Sequence, residues 1–411
     1  MTPPAPPDLE PSVPRLSLPA LFARFLRFGA LAWGGPVAQI AMLKKELVEE
    51  ERWVSVPRFQ RALAVYQALP GPEAHELCVW FGMLSRGRVG AVLAGLGFML
   101  PGLVLMLGLA WVYVHLGIQQ PGIAAVLAGL QVAVLALIVR GVHRLGRHAL
   151  GRPAWWIVAA LAFVGALFGV PFWILLWGAA LAGPLLAARR HAASALLLIG
   201  LLALAGAIAA LGWLLGVPDG LLSDPPPLLP APAPAPLALF VMGLNAGLLT
   251  FGGAYTAIPL VRHDAVTRGG WLSDAQFLDG LALSGVLPAP LIIFTAFVGF
   301  VGADLAGGLA MTAGVFLPAF AFTLLGHDFF ERLTNDARLR DALDGVTAAV
   351  VGLIAATAVG LLRGGLTSIP AALIFAVALA LLYHWRSRAA IPAAILLGGL
   401  LGWLLLHPTA R

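Results

Sequence analysis

Ionisable side chains within apolar stretches are the residues of this sequence that could do chemistry. Glu73, His75 and Glu76 follow Pro72, and the two glutamates are three residues apart, on one face of a helix. Ionisable groups inside a membrane span are costly and usually functional, and carboxyl and imidazole groups can carry protons. The sequence predicts that these three residues serve proton coupling or gating. For Glu73, a first-turn acid that favours the helix dipole is the alternative.

Arg24 and Arg27 form a second candidate group. Both lie in the apolar stretch that leads to Gly34, about one helical turn apart. A planar guanidinium group donates two parallel hydrogen bonds, which suits a tetrahedral oxyanion. We therefore expect Arg24 and Arg27 to supply positive charge to a bound anion. The alternative is that both side chains snorkel to the inner membrane interface.

Glycine and proline interrupt four apolar stretches, and these interruptions are predicted to form a binding site. They fall at residues 33–36, 69–72, 251–253 and 287–290. Non-helical backbone at membrane depth occurs only where it lines a cavity or is packed in protein. Proline favours the first helical position, so new half-helices should begin there, and a helix N-terminus favours an anion. With the polar Asn245, the predicted binding residues are Gly34, Gly35, Pro36, Pro70, Gly71, Pro72, Asn245, Gly252, Gly253, Pro288 and Pro290.

The composition shows which elements must position these residues. The chain of 411 residues is 60% hydrophobic and 11% charged, with a mean hydropathy of +0.94. A soluble protein has about 25% charged residues, so the apolar surplus must face lipid, and soluble enzymes are excluded. Lys44 and Lys45 follow no glycine-rich loop, which excludes a P-loop nucleotide site. The net charge of +6 comes from arginines between apolar runs and does not predict nucleic-acid binding.

Thirteen apolar segments are predicted to be transmembrane helices, some of them broken, so the fold class is an all-α polytopic membrane protein. Two of the segments, residues 21–43 and 62–85, contain charged residues. The predicted spans are residues 21–43, 62–85, 89–115, 123–139, 154–170, 172–188, 192–216, 237–261, 280–303, 305–326, 345–362, 364–383 and 389–406.

The two halves of the chain match each other at a nearly constant spacing. Glycine, tryptophan and proline residues of the first half recur 218 residues later in the second. An internal duplication explains this match. The matched sets are Gly34-Gly35 with Gly252-Gly253, Trp53 with Trp271, and Leu69-Pro70 with Leu287-Pro288. The predicted organisation is a disordered proline-rich tail at 1–17, a first repeat at 18–191, a joining helix at 192–216, a proline-rich external linker at 217–236 and a second repeat at 237–407.

Positive charge sets the predicted orientation, since lysine and arginine concentrate on the cytoplasmic side. With the N-terminus inside and thirteen crossings, 18 of the 25 lysines and arginines lie inside and the C-terminus lies outside. Six spans per half and one joining span (6+1+6) make the second half run opposite to the first, which is an inverted repeat. The loop at residues 44–61 does not fit, because it carries five cations outside. Re-entrant first segments, at 21–43 and 237–261, are the alternative.

Four sequence elements of the first half together carry a resemblance. They are residues 28–36 (FGALAWGGP), Trp53, residues 69–73 (LPGPE) and residues 95–102 (GLGFMLPG), with the pattern repeated in the second half. This combination resembles the chromate ion transporter family, in its long two-domain type, over about residues 18–406. The resemblance implies oppositely oriented halves and export of chromate from the bacterial cytoplasm. Two departures are Pro-Ala-Pro at residues 288–290 in place of Pro-Gly-Pro, and His75-Glu76 in place of glutamine-like residues.

Energetics favour export of such a dianion. One charge that crosses 100 mV changes the free energy by about 2.3 kcal/mol, so a dianion that leaves a negative interior gains roughly 4.6 kcal/mol. We therefore expect a secondary transporter that exports chromate across the inner membrane, driven by the membrane potential and by proton antiport. Import or exchange of sulfate or another tetrahedral oxyanion, with sulfate as a competitor of chromate, is the alternative, and a lipid-modifying membrane enzyme is a third hypothesis. No cofactor or metal is expected; the partners are the lipid bilayer, the oxyanion and, as a further hypothesis, a second copy of the chain.

Overall fold

The computed structural model describes residues 13–115, 121–170, 172–188, 200, 234–250, 254–334, 337–385, 387 and 389–406. Every secondary-structure element within these residues is helical, as the sequence predicts. The predicted joining helix at 192–216 lies outside the described residues except for residue 200. Gly252 and Gly253 also lie outside them.

The described elements of the two halves follow one order. The first half contains α1 (Leu18–Ala30), α2 (Gly35–Leu43) with a π-helical continuation (Lys44–Glu50), α3 (Val56–Ala68), α4 (Glu73–His115), α5 (Pro121–Ala149), α6 (Pro153–Leu167) and α7 (Phe172–Ala187). The second half contains α8 (Pro236–Leu248), a 3-10 turn (Ala254–Thr256), α9 (Ala257–Arg262) with a π-helical continuation (His263–Arg268), α10 (Asp274–Val286), a 3-10 turn (Leu291–Ile293), α11 (Phe294–Thr334), α12 (Ala337–Gly365), α13 (Ile369–His384) and α14 (Ala390–Leu406).

Within the part of the chain that the structure describes, four helical stretches are long and apolar enough to cross a membrane: Glu73–His115, Gly122–Arg147, Leu291–Leu325 and Asp341–Gly365. Five shorter apolar helices, of 10 to 17 residues, accompany them. The shorter helices are Pro153–Leu167, Phe172–Ala187, Pro236–Leu248, Ile369–His384 and Ala390–Leu406. This content is that of a polytopic α-helical membrane protein.

Two pairs of short helices in the first half fold back on themselves. In hairpin 1 (residues 18–50), Arg24 reaches Glu46 at 3.2 Å. In hairpin 2 (residues 56–85), the rings of Phe59 and Phe81 stack with centroids 6.3 Å apart. Each pair is 22 positions apart in the chain, and a straight helix would separate such positions by about 33 Å. The predicted spans at 21–43 and 62–85 are therefore hairpins rather than straight helices.

The second half contains two equivalent hairpins. Hairpin 3 (residues 236–268) returns to its start, because a Cβ on Gly302 would lie 3.2 Å from Pro234 Cγ and 3.1 Å from Trp271 Nε1. In hairpin 4 (residues 274–303), a Cβ on Gly280 would lie 2.5 Å from the ring of Phe297. The predicted spans at 237–261 and 280–303 thus also differ from straight crossings.

The long helices α4 and α11 each contain the turn that separates a hairpin from a membrane-length helix. In α4, Gly87 has φ +60° and Arg86 has φ −141°, so residues 73–85 fold back on residues 88–115. A Cβ on Gly82 would collide with the Gly90 carbonyl, which is why only glycine permits this approach. In α11 the turn is at Asp304, with φ +49°. Aspartate tolerates this left-handed conformation better than most residues.

The two halves interlock through their membrane-length helices. Helix α5 of the first half packs on α13 and α14 of the second, and α12 packs on α6 and α7 of the first. Helices α5 and α12 also contact each other and run antiparallel, since Gly146 approaches Val351 while Leu135 approaches Gly365. Each half therefore completes the helix packing of the other.

Candidate anion site at the hairpin tips

The tips of the four hairpins meet in pairs across the two halves. Tips 1 to 4 are residues 31–34, 69–72, 249–250 and 287–290; residues 251–253, which follow tip 3 in the chain, lie outside the described residues. The Gly71 N–H in tip 2 donates a hydrogen bond of 2.8 Å to the Thr250 carbonyl in tip 3. The Trp33 indole N–H in tip 1 donates one of 3.2 Å to the carbonyl of Val286, which adjoins tip 4. A hairpin of one half thus always meets a hairpin of the other.

A helix N-terminus lies at every tip. The second arm of each hairpin begins there, at Gly35, Glu73, Ala254 and Leu291. The first N–H groups of a helix have no partner within it and carry a partial positive charge, which favours anions. The first arms end at the same tips, but carbonyls there accept hydrogen bonds from the opposite half, as Val286 and Thr250 do. The tips therefore bring helix N-termini to the contacts between the two halves.

Glycine is required at the first-half tips by the backbone itself. Gly34 and Gly35 have φ of +93° and +76°, and Gly71 has φ +151°. These conformations are rare for residues with a side chain. At Gly71 the space is also occupied, since a Cβ would lie 2.7 Å from the Glu76 carboxyl oxygen Oε1.

The two proline-flanked tips make complementary contacts with the long helices. Gly71 faces the methyl group of Ala319, and a Cβ added to Gly71 would lie 3.6 Å from that methyl carbon. Ala289, in the equivalent position of tip 4, packs its methyl group where a Cβ on Gly102 would be. Each contact therefore holds one methyl group, supplied by the tip in one case and by the helix in the other. The alanine of Pro-Ala-Pro in tip 4 is accommodated because the long helix that faces it has glycine, Gly102, at the contact.

Glu73, His75 and Glu76 lie at the base of tip 2, as predicted, and are buried. His75 and Glu76 have no exposed surface, and Glu73 is 8% exposed. The His75 ring makes edge contacts with Phe316 and Phe320, each with centroids 4.8 Å apart. Neither carboxyl oxygen of Glu76 has a hydrogen-bond partner among the described residues. A buried carboxyl without partners is costly, so a functional role is the better account of its presence.

Arg24 and Arg27 are held by glutamates within hairpin 1. Arg27 Nη1 lies 2.8 Å from Glu46 Oε1, and Arg24 pairs with both Glu46 and Glu51. The Arg24 guanidinium also lies over the Trp53 ring, 5.3 Å from its centroid. Arg24 is thus committed to several partners, whereas the Arg27 side chain is 59% exposed.

A cavity of about 820 Å³ connects this ion-pair group with the tips. Its charged lining comes from Arg27, Lys45, Glu46 and Glu50, and its lining also includes Val286 and the exposed Trp33. Ala389, which precedes α14, and Pro392 and Leu396 of α14 complete the lining from the second half. The cavity therefore extends from the ion-pair group to the contact between Trp33 of tip 1 and Val286 beside tip 4.

Comparison with known proteins identifies the family. The family model of chromate transporters matches residues 19–184 and again residues 237–403. The chain belongs to the chromate transporter family. A chromate transport protein of Pseudomonas aeruginosa is 51% identical over 395 residues, which cover 95% of this chain and 93% of that protein. One of Cupriavidus metallidurans is 30% identical over 421 residues, which cover 99% of this chain and all of that protein. No solved structure matches the chain.

Membership of the chromate transporter family confirms the resemblance carried by the motifs, and it supports a transport protein of the membrane. The relatives compared are named as transport proteins. The two matched regions contain all four hairpins, so each half of this family member supplies two of the tips. Pro288 and Pro290, which the sequence predicts as binding residues, are buried in tip 4. Asn245 is exposed on α8, outside the tips, and the predicted Gly252 and Gly253 lie outside the described residues.

Sequence patterns missed two polar groups of this chromate transporter family member. Arg144 lies on α5, close enough to Glu73 for the two charges to interact. Asp279 is 4% exposed on α10. A signal existed for Asp279, since it is an acid directly before an apolar segment, but its partners come from the other half and leave no trace in local sequence.

Proposed function

We propose that this protein exports chromate from the cytoplasm across the inner membrane, and that the anion binds where the four hairpin tips meet. The observation that carries the proposal is that helix N-termini lie at the hairpin tips, and that the tips are joined in pairs across the two halves, tip 2 with tip 3 and tip 1 with tip 4. Backbone N–H groups at helix N-termini bind tetrahedral oxyanions without added charge. The family and the names of the relatives supply chromate as the substrate.

The cavity supports a route for the anion to the tips. Arg27 and Lys45 at its mouth attract a dianion, and Glu46 and Glu50 beside them limit how tightly it is held. Arg27, the more exposed arginine, meets the anion first, while Arg24 mainly joins the two arms of hairpin 1. Glu73, His75 and Glu76, close behind tip 2, then exchange protons as the site alternates.

The proposed topology has nine crossings and four re-entrant hairpins, and it revises the thirteen crossings. Hairpins 1 and 2 enter from the inside, and hairpins 3 and 4 enter from the outside. The helix at 192–216 and the external linker at 217–236 connect the repeats, the N-terminus is cytoplasmic and the C-terminus is external. The five cations of residues 44–61 move inside and Arg262 and Arg268 move outside, so 21 of the 25 lysines and arginines lie inside. This stronger bias favours the revision.

The driving force is the membrane potential, assisted by proton antiport. A dianion that leaves a cell at −100 mV gains roughly 4.6 kcal/mol. That free energy sustains an outward gradient of about three decades, at 1.36 kcal/mol per decade. Chromate import would need about three cations per anion to reverse the charge, so export is the simpler direction.

Flux in inside-out vesicles tests the proposal. Potential-driven accumulation of chromate, little inhibited by excess sulfate and reduced when the pH gradient is collapsed, is expected. Rapid sulfate flux without chromate flux would replace the substrate by sulfate, which has the same shape and charge. Arg27→Ala should raise the KM for chromate several-fold, whereas Lys44→Ala, at an exposed lysine outside the cavity, should not. An unchanged KM in Arg27→Ala would contradict the role given to that arginine.

A further inference from the structure

Three side chains from both halves form a hydrogen-bonded group around the buried carboxyl group of Asp279, and the other two, Tyr113 and Gln131, are half-buried. Tyr113 of α4 donates a hydrogen bond of 2.8 Å to Asp279 Oδ2. Gln131 of α5 donates one of 2.9 Å to Asp279 Oδ1 and a second, of 3.2 Å, to the Ala275 carbonyl. Both oxygens of this buried carboxyl group are thus bound by first-half residues. These bonds tie hairpin 4 to α4 and α5.

The equivalent hairpin of the first half is not held in this way. Leu278, Asp279 and Gly285 on α10 are buried, and their equivalents 218 residues earlier, Gln60, Arg61 and Gln67 on α3, are exposed. Helix α10 packs on α5 and α14, and a Cβ on Gly285 would collide with Ile395.

The symmetry-related packing of α3 is missing. Among the described residues, α3 makes no comparable contact with α12 or α7. Thr347, which corresponds to Gln131, bonds within its own helix to the Leu343 carbonyl at 2.8 Å. The two halves therefore have different conformations in this structure, with α10 packed against the other half and α3 not packed in the same way.

We propose that Tyr113, Gln131 and Asp279 form the closed outer gate of the transporter, and that this structure is its inward-facing state. The inference deepens the proposed function and rests on its topology, which places hairpin 4 on the outer side. In the outward-facing state the hydrogen bonds to Asp279 break, the buried face of α10 becomes exposed, and α3 packs against α12 and α7. The polar face of α3 and the cavity beside Arg27 are then the inner vestibule of the present state.

The gates of the two sides are chemically unequal. Arg61 occupies the position equivalent to Asp279, where an inner gate of the same kind would need an acid. Thr347 occupies the position equivalent to Gln131, where such a gate would need a long side-chain amide. An inner gate cannot form the same group, so the outer gate is the stronger one. This bias keeps the binding site open to the cytoplasm, where an exporter must collect its substrate.

Thiol accessibility tests the gate without any chromate. In a Cys78→Ala background, single cysteines replace Gln60 and its equivalent Leu278, and a membrane-impermeant maleimide is applied from either side. Gln60→Cys should react from the cytoplasmic side only, and Leu278→Cys should be protected on both sides. Adding Asp279→Ala should speed the reaction of Leu278→Cys from outside at least tenfold. Adding Arg61→Ala, at the equivalent position, should leave that rate unchanged.

Tyr113→Phe is a second test of the gate. It removes a single hydroxyl group and therefore changes the packing less than Asp279→Ala does. It should produce the same effect as Asp279→Ala to a smaller extent. An unchanged rate in both variants, or rapid outside labelling of Leu278→Cys in their absence, would overturn the gate. Since labelling needs no substrate, failure of chromate transport and failure of the gate are separate results. Labelling of Gln60→Cys from outside would instead overturn the orientation.

Discussion

Gly71 shows how a single backbone position can decide the geometry of the candidate site. Its left-handed φ sets the turn of hairpin 2, its N–H joins tip 3, and its missing side chain leaves room for the Glu76 carboxyl. Three requirements therefore meet at one glycine. The sequence predicted the glycine as a helix break, and the structure adds the two contacts that a break alone does not imply.

Replacement of Gly71 should accordingly impair transport. Gly71→Ala adds a methyl group 2.7 Å from Glu76 Oε1 in a conformation that alanine rarely adopts. Such strain costs about 1–3 kcal/mol, so chromate flux per molecule in vesicles should fall at least fivefold. Gly108→Ala is the matched control, since a Cβ at Gly108 meets nothing within 4 Å. Equal flux in the two variants would contradict the role of Gly71.

Glu76 is the residue through which proton coupling can be separated from anion binding. Glu76→Gln keeps the size of the side chain and removes its ability to bind and release a proton at physiological pH. We expect potential-driven chromate flux to persist and its response to an imposed pH gradient to disappear. The measurement is flux with the potential clamped and the pH gradient varied, with Glu49→Gln, at an exposed glutamate outside the cavity, as the control. A full response to pH in Glu76→Gln would assign coupling elsewhere.

At the scale of elements, sequence patterns predicted the breaks but not the hairpins. Residues 21–43 are long enough and apolar enough for a straight span. The same residues have the same mean hydropathy when they fold into two half-length arms, so hydropathy does not distinguish a hairpin from a crossing. The fold-back depends on contacts between distant residues, such as Arg24 with Glu46. The one local clue was the distribution of charge. With thirteen crossings, the loop at 44–61 places five lysines and arginines on the outer side, although such residues concentrate on the cytoplasmic side.

Thiol labelling of two equivalent segments distinguishes the topologies. Lys45→Cys, in hairpin 1, should react with an impermeant maleimide from the cytoplasmic side. Thr267→Cys, in hairpin 3, should react from the outside. With thirteen crossings, position 45 would react from the outside and position 267 from the cytoplasmic side. One labelling experiment in the Cys78→Ala background therefore distinguishes the two topologies. Exposed residues were chosen so that burial does not mask the outcome.

At the scale of the whole molecule, the interlocked helices join the two halves, because helices of each half pack between helices of the other. The duplication and the order of its elements could be predicted from matched glycines, prolines and tryptophans. The exchange of packing partners could not, since α5 finds α13 and α14 more than 200 residues away. Contacts of this kind depend on small residues on both helices, and glycines are common throughout the chain.

Co-expression of the two halves tests the interlock. Fragments divided within the proline-rich linker should copurify in detergent, because Gly129 of α5 lies against Gly398 and Gly402 of α14. Gly129→Leu should reduce recovery of the partner fragment several-fold, since its side chain would overlap the backbone of α14. Gly108→Leu, in open space, should not reduce it. Equal recovery would show that other contacts hold the halves together.

The contact of Ala289 with Gly102 limits how one half of the molecule can diverge from the other. A Cβ on Gly102 would lie 2.3 Å from the Ala289 methyl group, so this contact has volume for one methyl group. A lineage that acquires alanine at position 102 must first lose the methyl group at position 289, and the intermediate passes through glycine at both. The equivalent contact is looser, because a Cβ on Gly71 would lie 3.6 Å from that of Ala319, so the two copies of the ancestral repeat are constrained unequally at these sites.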